Sequence, residues 1–180
     1  MPDRGDKAVS AEGIAAAASK VAKGGLPPVH LWNPPFCGDL DMEIRADGTW
    51  FHEGTPIGRP AMVRLFSTIL KREGDRFFLV TPVEKVGIRV ADAPFVAVDA
   101  DIVADAVAFT TNVGDRVTAG PENPITLRGT ADEPRPYVHV RAGMEALIDR
   151  KTFYRLAAAA TEDAGRAGIR SGGVFFPLEP

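Results

Sequence analysis

Apolar and polar residues alternate along several short stretches of the chain, a pattern typical of β-strands with one buried face. Leu40, Met42 and Ile44 alternate with acidic residues, and a second apolar stretch follows the pair Asp47-Gly48. An Asp-Gly pair between two such stretches is a strong hairpin signal. We therefore predict two antiparallel strands here, with carboxylates on the outward face of the first.

After Pro60 the apolar residues recur at steps of three and four, which is the spacing of an amphipathic helix. These residues are Met62, Leu65, Phe66, Ile69 and Leu70. We predict a helix that begins at Pro60 and ends at Gly74. A second helix, whose apolar side is mostly alanine, is predicted from Ser10 to the pair Gly24-Gly25.

The remaining apolar stretches are rich in Val, Phe and Thr and are separated by turn residues, which favours strands. They read "RFFLVTP", "EKVGIRV", "FVAVDADIV", "AVAFTTNVGDRVTAG", "PITLRG" and "RPYVHVR". Many strands with few helices predict the α+β class.

Two parts of the chain are similar to each other in sequence. "RPAMVRL" at 59–65 resembles "RKTFYRL" at 150–156, "EIRA" at 43–46 resembles "HVRA" at 139–142, and "RFFLVTP" resembles the C-terminal "VFFPLEP". The matches keep their order, so we predict an internal duplication of a unit made of a sheet and one helix. The alternative is that two amphipathic helices share a common pattern.

This reading divides the chain into an N-terminal arm at 1–29, a first sheet-plus-helix unit at 30–90 and a second, barrel-like unit at 91–180. Residues 1–8 are polar and are expected to be mobile. Ligand pockets favour boundaries between units, so we expect a ligand site between the two halves.

Composition excludes several classes of protein. Apolar residues make up 45% and charged residues 25% of the 180 residues, and the net charge is −3. This balance predicts a globular protein without the basic field of a nucleic-acid binder. No apolar run reaches the length of a membrane helix and no signal peptide is evident, so we predict a cytoplasmic protein without membrane insertion.

The common catalytic motifs are absent. The sequence has no P-loop, no dinucleotide-binding glycine motif, no serine elbow and no pair of histidines at zinc-ligand spacing. Asp39, Asp41 and Glu43 could present oxygens to a hard cation or act as acid and base, although such a strand face is more often only solvated. The single cysteine, Cys37, has no cationic neighbour in sequence and is predicted to be an inert, buried thiol. We predict no cofactor, and a non-enzymatic protein is favoured.

The stretch "NPPFCGDLDMEIRADGTWFHEGTPIGRP", continuing through "RLFSTIL" to "LVTPVEKVGIRV", resembles the bacterial domain-of-unknown-function family 1285. The similarity runs from about residue 30 to the C-terminus. The resemblance implies a duplicated core whose second half is superficially like a pleckstrin-homology domain. It also implies a nucleotide-like ligand at the interface and a role in signal transduction, while no activity is established for the family.

The predicted ligand contacts combine aromatic rings for stacking, cations for an anionic group and one carboxylate that accepts a hydrogen bond. They are Trp32, Trp50, His52, Arg59, Arg64, Glu84 and Lys85. Arg59 and Arg64 differ by about 140° of helix rotation, so only one of them is expected to grip a small anion.

Three hypotheses follow. The leading one is a non-enzymatic regulatory protein that binds a small, nucleotide-like molecule. The alternative is a module that binds a protein or peptide through an exposed strand edge or apolar groove in residues 91–180. The third is a metal-dependent enzyme that acts on a nucleotide or phosphoester through the acidic strand face.

Overall fold

The computed structural model describes residues 9–23 and 25–180. The prediction of a mobile segment at residues 1–8, and Gly24 in the predicted helix end, lie outside these residues. The described chain forms two compact units. Unit 1 comprises residues up to Arg45 together with Thr49–Ala91, and unit 2 comprises Ala46–Gly48 together with Asp92–Pro180.

Unit 1 contains two helices and one six-stranded sheet. The helices are α1 (Ala11–Val21) and α2 (Pro60–Thr68), and a short 3-10 turn spans Val29–Leu31. The strands are β1 (Phe36–Ile44), β2 (Trp50–His52), β3 (Thr55–Pro56), β4 (Leu70–Glu73), β5 (Arg76–Val80) and β6 (Lys85–Val90). Ser10 begins α1, because its side chain accepts a hydrogen bond from the Gly13 N–H at 3.1 Å.

Unit 2 contains a six-stranded sheet, one helix and a separate three-stranded sheet. The larger sheet consists of β7 (Phe95–Val103), β8 (Ala106–Thr111), β9 (Arg116–Thr118), β10 (Ile125–Gly129), β11 (Pro134–Arg141) and β12 (Met144–Ile148). Helix α3 (Arg150–Ala158) follows, and β13 (Thr161–Asp163), β14 (Arg166–Ser171) and β15 (Val174–Pro177) form the smaller sheet.

The two larger sheets have the same topology. Their strand orders are β3-β2-β1-β6-β5-β4 and β9-β8-β7-β12-β11-β10. In each sheet the first strand is parallel to the sixth, while the other neighbouring strands are antiparallel. The prediction of an α+β protein built from two related sheet-plus-helix units is therefore confirmed.

The residue-by-residue alignment behind that prediction is wrong. It matched α2 with α3, but α2 lies between the third and fourth strands of its unit, whereas α3 follows the sixth strand of unit 2. It also matched β5 with β15, which belongs to the separate small sheet. Strand pairing sets the true correspondence, in which β1 to β6 match β7 to β12. The two helices are similar because each presents one apolar face, the alternative considered above.

Helix α2 ends earlier than predicted. It spans Pro60–Thr68, and residues 70–73 form β4, which pairs with β5 around the turn at Gly74. Gly74 has a φ of 60°, so it serves the hairpin turn and does not end a helix. The apolar residues near the end of the predicted helix contribute to the core instead, because Ile69 and Leu70 are fully buried.

Each six-stranded sheet has its own apolar core. In unit 1, Trp50 of β2 stacks on Phe66 of α2 with ring centroids 6.2 Å apart. In unit 2, Phe95 and Phe109 are fully buried on β7 and β8. Burial of such rings is the main favourable contribution to folding. The face of the first sheet opposite α2 carries polar and aromatic side chains, and it holds the candidate site.

The small sheet of unit 2 is attached through a buried serine. Ser171 at the end of β14 is fully buried, and its hydroxyl donates to the Ala119 carbonyl at 2.7 Å. The same hydroxyl accepts a hydrogen bond from the Val107 N–H at 2.9 Å. One side chain therefore satisfies two backbone groups that lie far from it in sequence. Among the described helices of both units, none is long and apolar enough to cross a membrane.

Candidate functional site

The candidate site is a cluster of two lysines and one glutamate on the outward face of the first sheet, which we call the lysine centre (Lys71, Glu73 and Lys85). Lys85 Nζ lies 2.6 Å from Glu73 Oε2, and Lys71 Nζ lies 3.4 Å from Glu73 Oε1. The two lysine side chains are only 16% and 21% exposed, respectively. Two partly buried ammonium groups therefore share one carboxylate.

Strand register explains why these residues meet. Lys71 pairs with Phe78, Glu73 pairs with Arg76, and Lys85 pairs with Val80, so alternate residues of β4, β5 and β6 lie on one face. Lys71 Nζ also donates to the carbonyl of Trp32 at 3.4 Å. The irregular Pro-rich segment before β1 thus contributes a backbone acceptor to the lysine centre.

The electrostatics of the cluster favour a charged glutamate. The hydrogen bond from Lys85 lowers the pKa of Glu73 most, and the positive charge of Lys85 together with Lys71 lowers it further, against an opposing effect of burial. Glu73 therefore remains ionised at neutral pH, and its single negative charge faces two positive charges. The lysine centre carries one surplus positive charge.

Aromatic rings border the lysine centre. Lys85 Nζ lies 4.4 Å from the centroid of the Phe78 ring, a cation–π arrangement. The Phe36 ring packs edge-on against Phe78 with centroids 5.9 Å apart, and Phe36 remains 50% exposed. Arg76 lies over both rings and donates to Asp39 Oδ1 at 2.8 Å. The cluster thus combines cations, an exposed ring and neutral ion pairs.

Three of the predicted contacts lie at this cluster. Lys85 is part of it, and Trp32 supplies the carbonyl that binds Lys71. Glu84 closes the turn into β6, because its N–H donates to Thr81 Oγ1 at 3.0 Å and its carbonyl accepts from the Thr81 N–H at 2.8 Å. The backbone of Glu84 therefore fixes the position of Lys85.

The other four predicted contacts lie elsewhere in unit 1. Trp50 and His52 point to the face of the sheet that α2 covers, since Trp50 pairs with buried Ile44 and His52 with buried Met42. Trp50 is 1% exposed, and within the described part of the chain its Nε1–H has no hydrogen-bond partner. These two residues therefore do not join the lysine centre.

Arg59 and Arg64 are exposed at the start and on the outer side of α2. Arg64 is two residues from buried Phe66, which places it about 200° around the helix and away from the sheet. Neither guanidinium group has an ion pair or hydrogen bond with residues 9–23 or 25–180, although the Arg64 carbonyl accepts a hydrogen bond from the Ser67 hydroxyl. The two arginines are not brought to the cluster on the opposite face.

Two arginines pair with the three carboxylates on the acidic face of β1. Asp39 binds Arg76 and Asp41 binds Arg89, both at 2.8 Å, and Glu43 lies 3.9 Å from Arg89. In residues 9–23 and 25–180, no group of three His, Cys, Asp or Glu side chains is placed to hold a metal ion. The ordinary interpretation of this strand face, as paired and solvated charges, fits the geometry.

Cys37 is exposed, so the prediction of a buried thiol is wrong. It lies next to Phe36 at the irregular start of β1, where the first residues of the strand are exposed. Its thiol donates to the carbonyl of Pro35 at 3.3 Å. Pro34 and Pro35 precede the strand, which begins at the surface, so the Cys37 side chain is left exposed.

Sequence reasoning missed Lys71, Glu73 and the two phenylalanines. The helical spacing after Pro60 predicts a helix through residues 70–73, which form β4 and alternate with "RFF" of β5 in the structure. The signal that could have found them is the hairpin "LKREGDRFF", in which a Gly-Asp pair separates two alternating stretches.

Unit 2 has a second polar network, centred on Tyr137. The Tyr137 hydroxyl lies 2.8 Å from both carboxylate oxygens of Asp92, and Arg135 binds the same carboxylate at 2.7 Å. Burial raises the pKa of Tyr137 most, and together with the hydrogen bond and charge of Asp92 it brings the value to about 12. Arg128 lies over the ring and pairs with Glu145, so the network is closed and neutral.

These features define a duplicated α+β protein with a cationic, aromatic cluster on its first sheet. Two family models cover it, the DUF1285 N-terminal domain at residues 27–93 and the DUF1285 C-terminal domain at residues 94–178, both described as of unknown function. The chain belongs to the DUF1285 family.

Two solved structures are similar to this chain. A DUF1285 family protein from Silicibacter pomeroyi DSS-3 is 60% identical with a TM-score of 0.86, over 93% of this chain and 94% of the other. A DUF1285 family protein from Shewanella baltica OS155 is 28% identical with a TM-score of 0.52, over 63% of this chain and 87% of the other. No curated protein matches the chain.

Proposed function

We propose that this protein is a non-enzymatic regulatory protein that binds a small anionic ligand, of which nucleotides are one class, at the lysine centre of unit 1. The observation that carries the proposal is the sharing of one carboxylate by two partly buried lysines. Removing charge from water is unfavourable unless the charge is paired, so an anionic group on a ligand would complete the pairing.

The neighbouring groups support the same assignment. Each lysine ammonium has three N–H donors, and Glu73 with the Trp32 carbonyl does not use all of them. The half-exposed ring of Phe36 beside Phe78 offers an apolar surface to the remainder of a ligand. A site with a few convergent polar groups and aromatic walls is typical of small-molecule binding.

The test is a thermal-shift and calorimetric screen of the full chain against nucleotides and other small anions. A ligand at about ten times its dissociation constant adds about 1.4 kcal/mol of stability, which raises the melting temperature by about 3–6 °C for a chain of this size. We expect binding to be lost in Lys85→Met and weakened in Lys71→Met, because methionine keeps an unbranched side chain of similar volume and removes the ammonium group.

Two further variants make the test specific. Lys20→Met removes a lysine from α1 and should leave binding unchanged. Glu73→Gln removes the competing carboxylate and should strengthen anion binding, an effect that simple damage to the fold would not produce. Binding that is equal in Lys85→Met and wild type would refute the proposal.

A second candidate function is a protein or peptide interaction module. It is favoured by exposed apolar side chains in the segments at or before the starts of β1 and β6: Leu31 is 72%, Phe36 50% and Val83 68% exposed. Contiguous exposed apolar residues often mark interaction sites. The sequence-based expectation was for such a surface in residues 91–180. A binding partner lost on Val83→Ser but retained on Lys85→Met would favour this second function over the first.

A further inference from the structure

The net charge around the lysine centre limits the charge of the ligand. Lys71 and Lys85 face the single carboxylate of Glu73. The adjacent Arg76 is already neutralised by Asp39 at 2.8 Å. On the next part of the same face, Arg89 lies 2.8 Å from Asp41 and 3.9 Å from Glu43. Within the lysine centre itself, two positive charges face one negative charge, so one positive charge there has no counter-charge, while the three carboxylates of β1 exceed their two arginines by one.

Exposed apolar side chains belong to the segments around that charge, beside the Arg76–Asp39 ion pair. Phe36 is the register partner of Lys85 and is 50% exposed. Val83 lies two residues before Lys85 and is 68% exposed, and Leu31 precedes Trp32, whose carbonyl binds Lys71. The exposed apolar side chains of Phe36, Val83 and Leu31 therefore belong to the segments that carry or contact the two lysines.

We propose that the ligand of the lysine centre is a monoanion with an apolar body, such as an aliphatic or aromatic carboxylic acid, and not a polyanionic nucleotide. This inference rests on the proposed function, whose site it uses. One negative charge neutralises the surplus positive charge. A second or third charge would have to be desolvated against Phe36 and Val83 without a partner, which is unfavourable.

The apolar body accounts for the exposed side chains. Burying apolar surface contributes in proportion to the area removed from water. An acid with a short aliphatic chain could place its carboxylate between the lysines while its chain lies along Phe36 and Val83. The contributions of the carboxylate and of the apolar chain to binding can be measured separately, because one depends on charge and the other on apolar contact.

The experiment measures the affinity of the full chain by calorimetry for two series of probes. The first series is octanoate, acetate and octanol. Octanoate has both a carboxylate and an apolar chain, acetate has the carboxylate without the chain, and octanol has the chain without the charge. The second is AMP, ADP and ATP, in which the charge rises on one constant body. We expect saturable binding of octanoate at one site per chain, with acetate and octanol each at least about tenfold weaker.

In the nucleotide series we expect no gain in affinity from AMP to ATP. Affinity that rises steadily with charge, with ATP tightest and octanoate inactive, would overturn the inference while leaving the proposed function intact. No binding by any anion would overturn both. Octanol binding as tightly as octanoate would also overturn the inference, because the surface would then be purely apolar.

Two variants locate the binding on the protein. Phe36→Ser should weaken octanoate at least about fivefold and leave the weak binding of acetate unchanged, since it removes apolar contact without altering charge. Lys85→Met should weaken both acids. Val103→Ser, which changes a side chain of unit 2 that is 67% exposed, is the matched control and should change neither. Equal loss in the control and in Phe36→Ser would contradict the assigned location.

Discussion

Replacing Tyr137 with phenylalanine tests the buried network of unit 2. The substitution removes a hydroxyl that lies 2.8 Å from both oxygens of Asp92 and leaves the ring in place. Tyr137 is 4% exposed, so the hydroxyl has little access to water as an alternative partner. We expect the variant to be less stable than wild type by about 1–3 kcal/mol near neutral pH, because a buried hydrogen bond is lost.

The alkaline behaviour gives the sharper test. The pKa of Tyr137 is raised in the folded protein from 10.0 to about 12, so the folded state holds the phenol proton more tightly than the unfolded chain does. The associated stability is fully present below pH 10.0 and is lost as the pH rises through about 12. The difference between the pKa of Tyr137 in the unfolded and folded states corresponds to roughly 3 kcal/mol of unfolding free energy, and about half of this is lost by about pH 11.

The assay is guanidinium unfolding of wild type and Tyr137→Phe at a series of values from about pH 8 to about pH 11. The difference in unfolding free energy should be constant up to about pH 9 and should shrink by about 1.4 kcal/mol at about pH 11. Tyr154→Phe is the control, since Tyr154 is the other tyrosine of the chain and is 61% exposed. A difference that stays constant to pH 11 would refute the reasoning.

Three other substitutions have defined outcomes. Wild type should have a larger free energy of unfolding than Glu73→Gln above pH 4.5, the ordinary pKa of Glu, and this difference should vanish as the pH falls through the lowered pKa of Glu73. Urea unfolding at neutral and acidic pH measures the difference. Ser171→Ala should cost about 1–3 kcal/mol in the same assay, because a buried backbone N–H loses its acceptor. Gly129→Ala should lower the melting temperature, since φ is +84° and a Cβ would lie 2.3 Å from the Glu133 carbonyl oxygen.

Matched controls separate these effects from general sensitivity. Ser19→Ala changes an exposed serine of α1 and should alter stability by less than about 0.5 kcal/mol. Gly114→Ala shares a positive φ of +90° but meets nothing within 4 Å, so it should cost less than Gly129→Ala. Equal costs at the two glycines would show that backbone strain, and not the collision with Glu133, decides the result.

Local patterns in the sequence predicted most of the strands. The Asp47-Gly48 hairpin connects β1 and β2, and "RFFLV" forms β5, because alternation and turn residues act over a few neighbouring positions. The end of α2 was mispredicted because Ile69 and Leu70 fit a helical period equally well. Both residues are buried at the junction of α2 and β4, which fits a helix and a strand equally well. Only the pairing of β4 with β5 shows that residues 70–73 form a strand.

The site was predictable only in part, for a related reason. Lys85 and Trp32 were selected by residue type, but Glu73 joins Lys85 through strands that pair across the sheet. A single sequence does not show which strands pair in the sheet, so it does not show which charged side chains form ion pairs across strands. The same limit explains the incorrect alignment of the two halves, because identity between short segments is weaker evidence than a shared strand order.

The parallel pairing of first and sixth strands also governs how each sheet is completed during synthesis. Strand β7 emerges early in its unit, yet its parallel neighbour β12 ends only at Ile148, so one edge of β7 has no permanent neighbour until then. An uncovered strand edge can pair with another chain. A polypeptide truncated between Val103 and Met144 would therefore keep a long apolar strand open, and such fragments should be far more prone to aggregation than the complete chain.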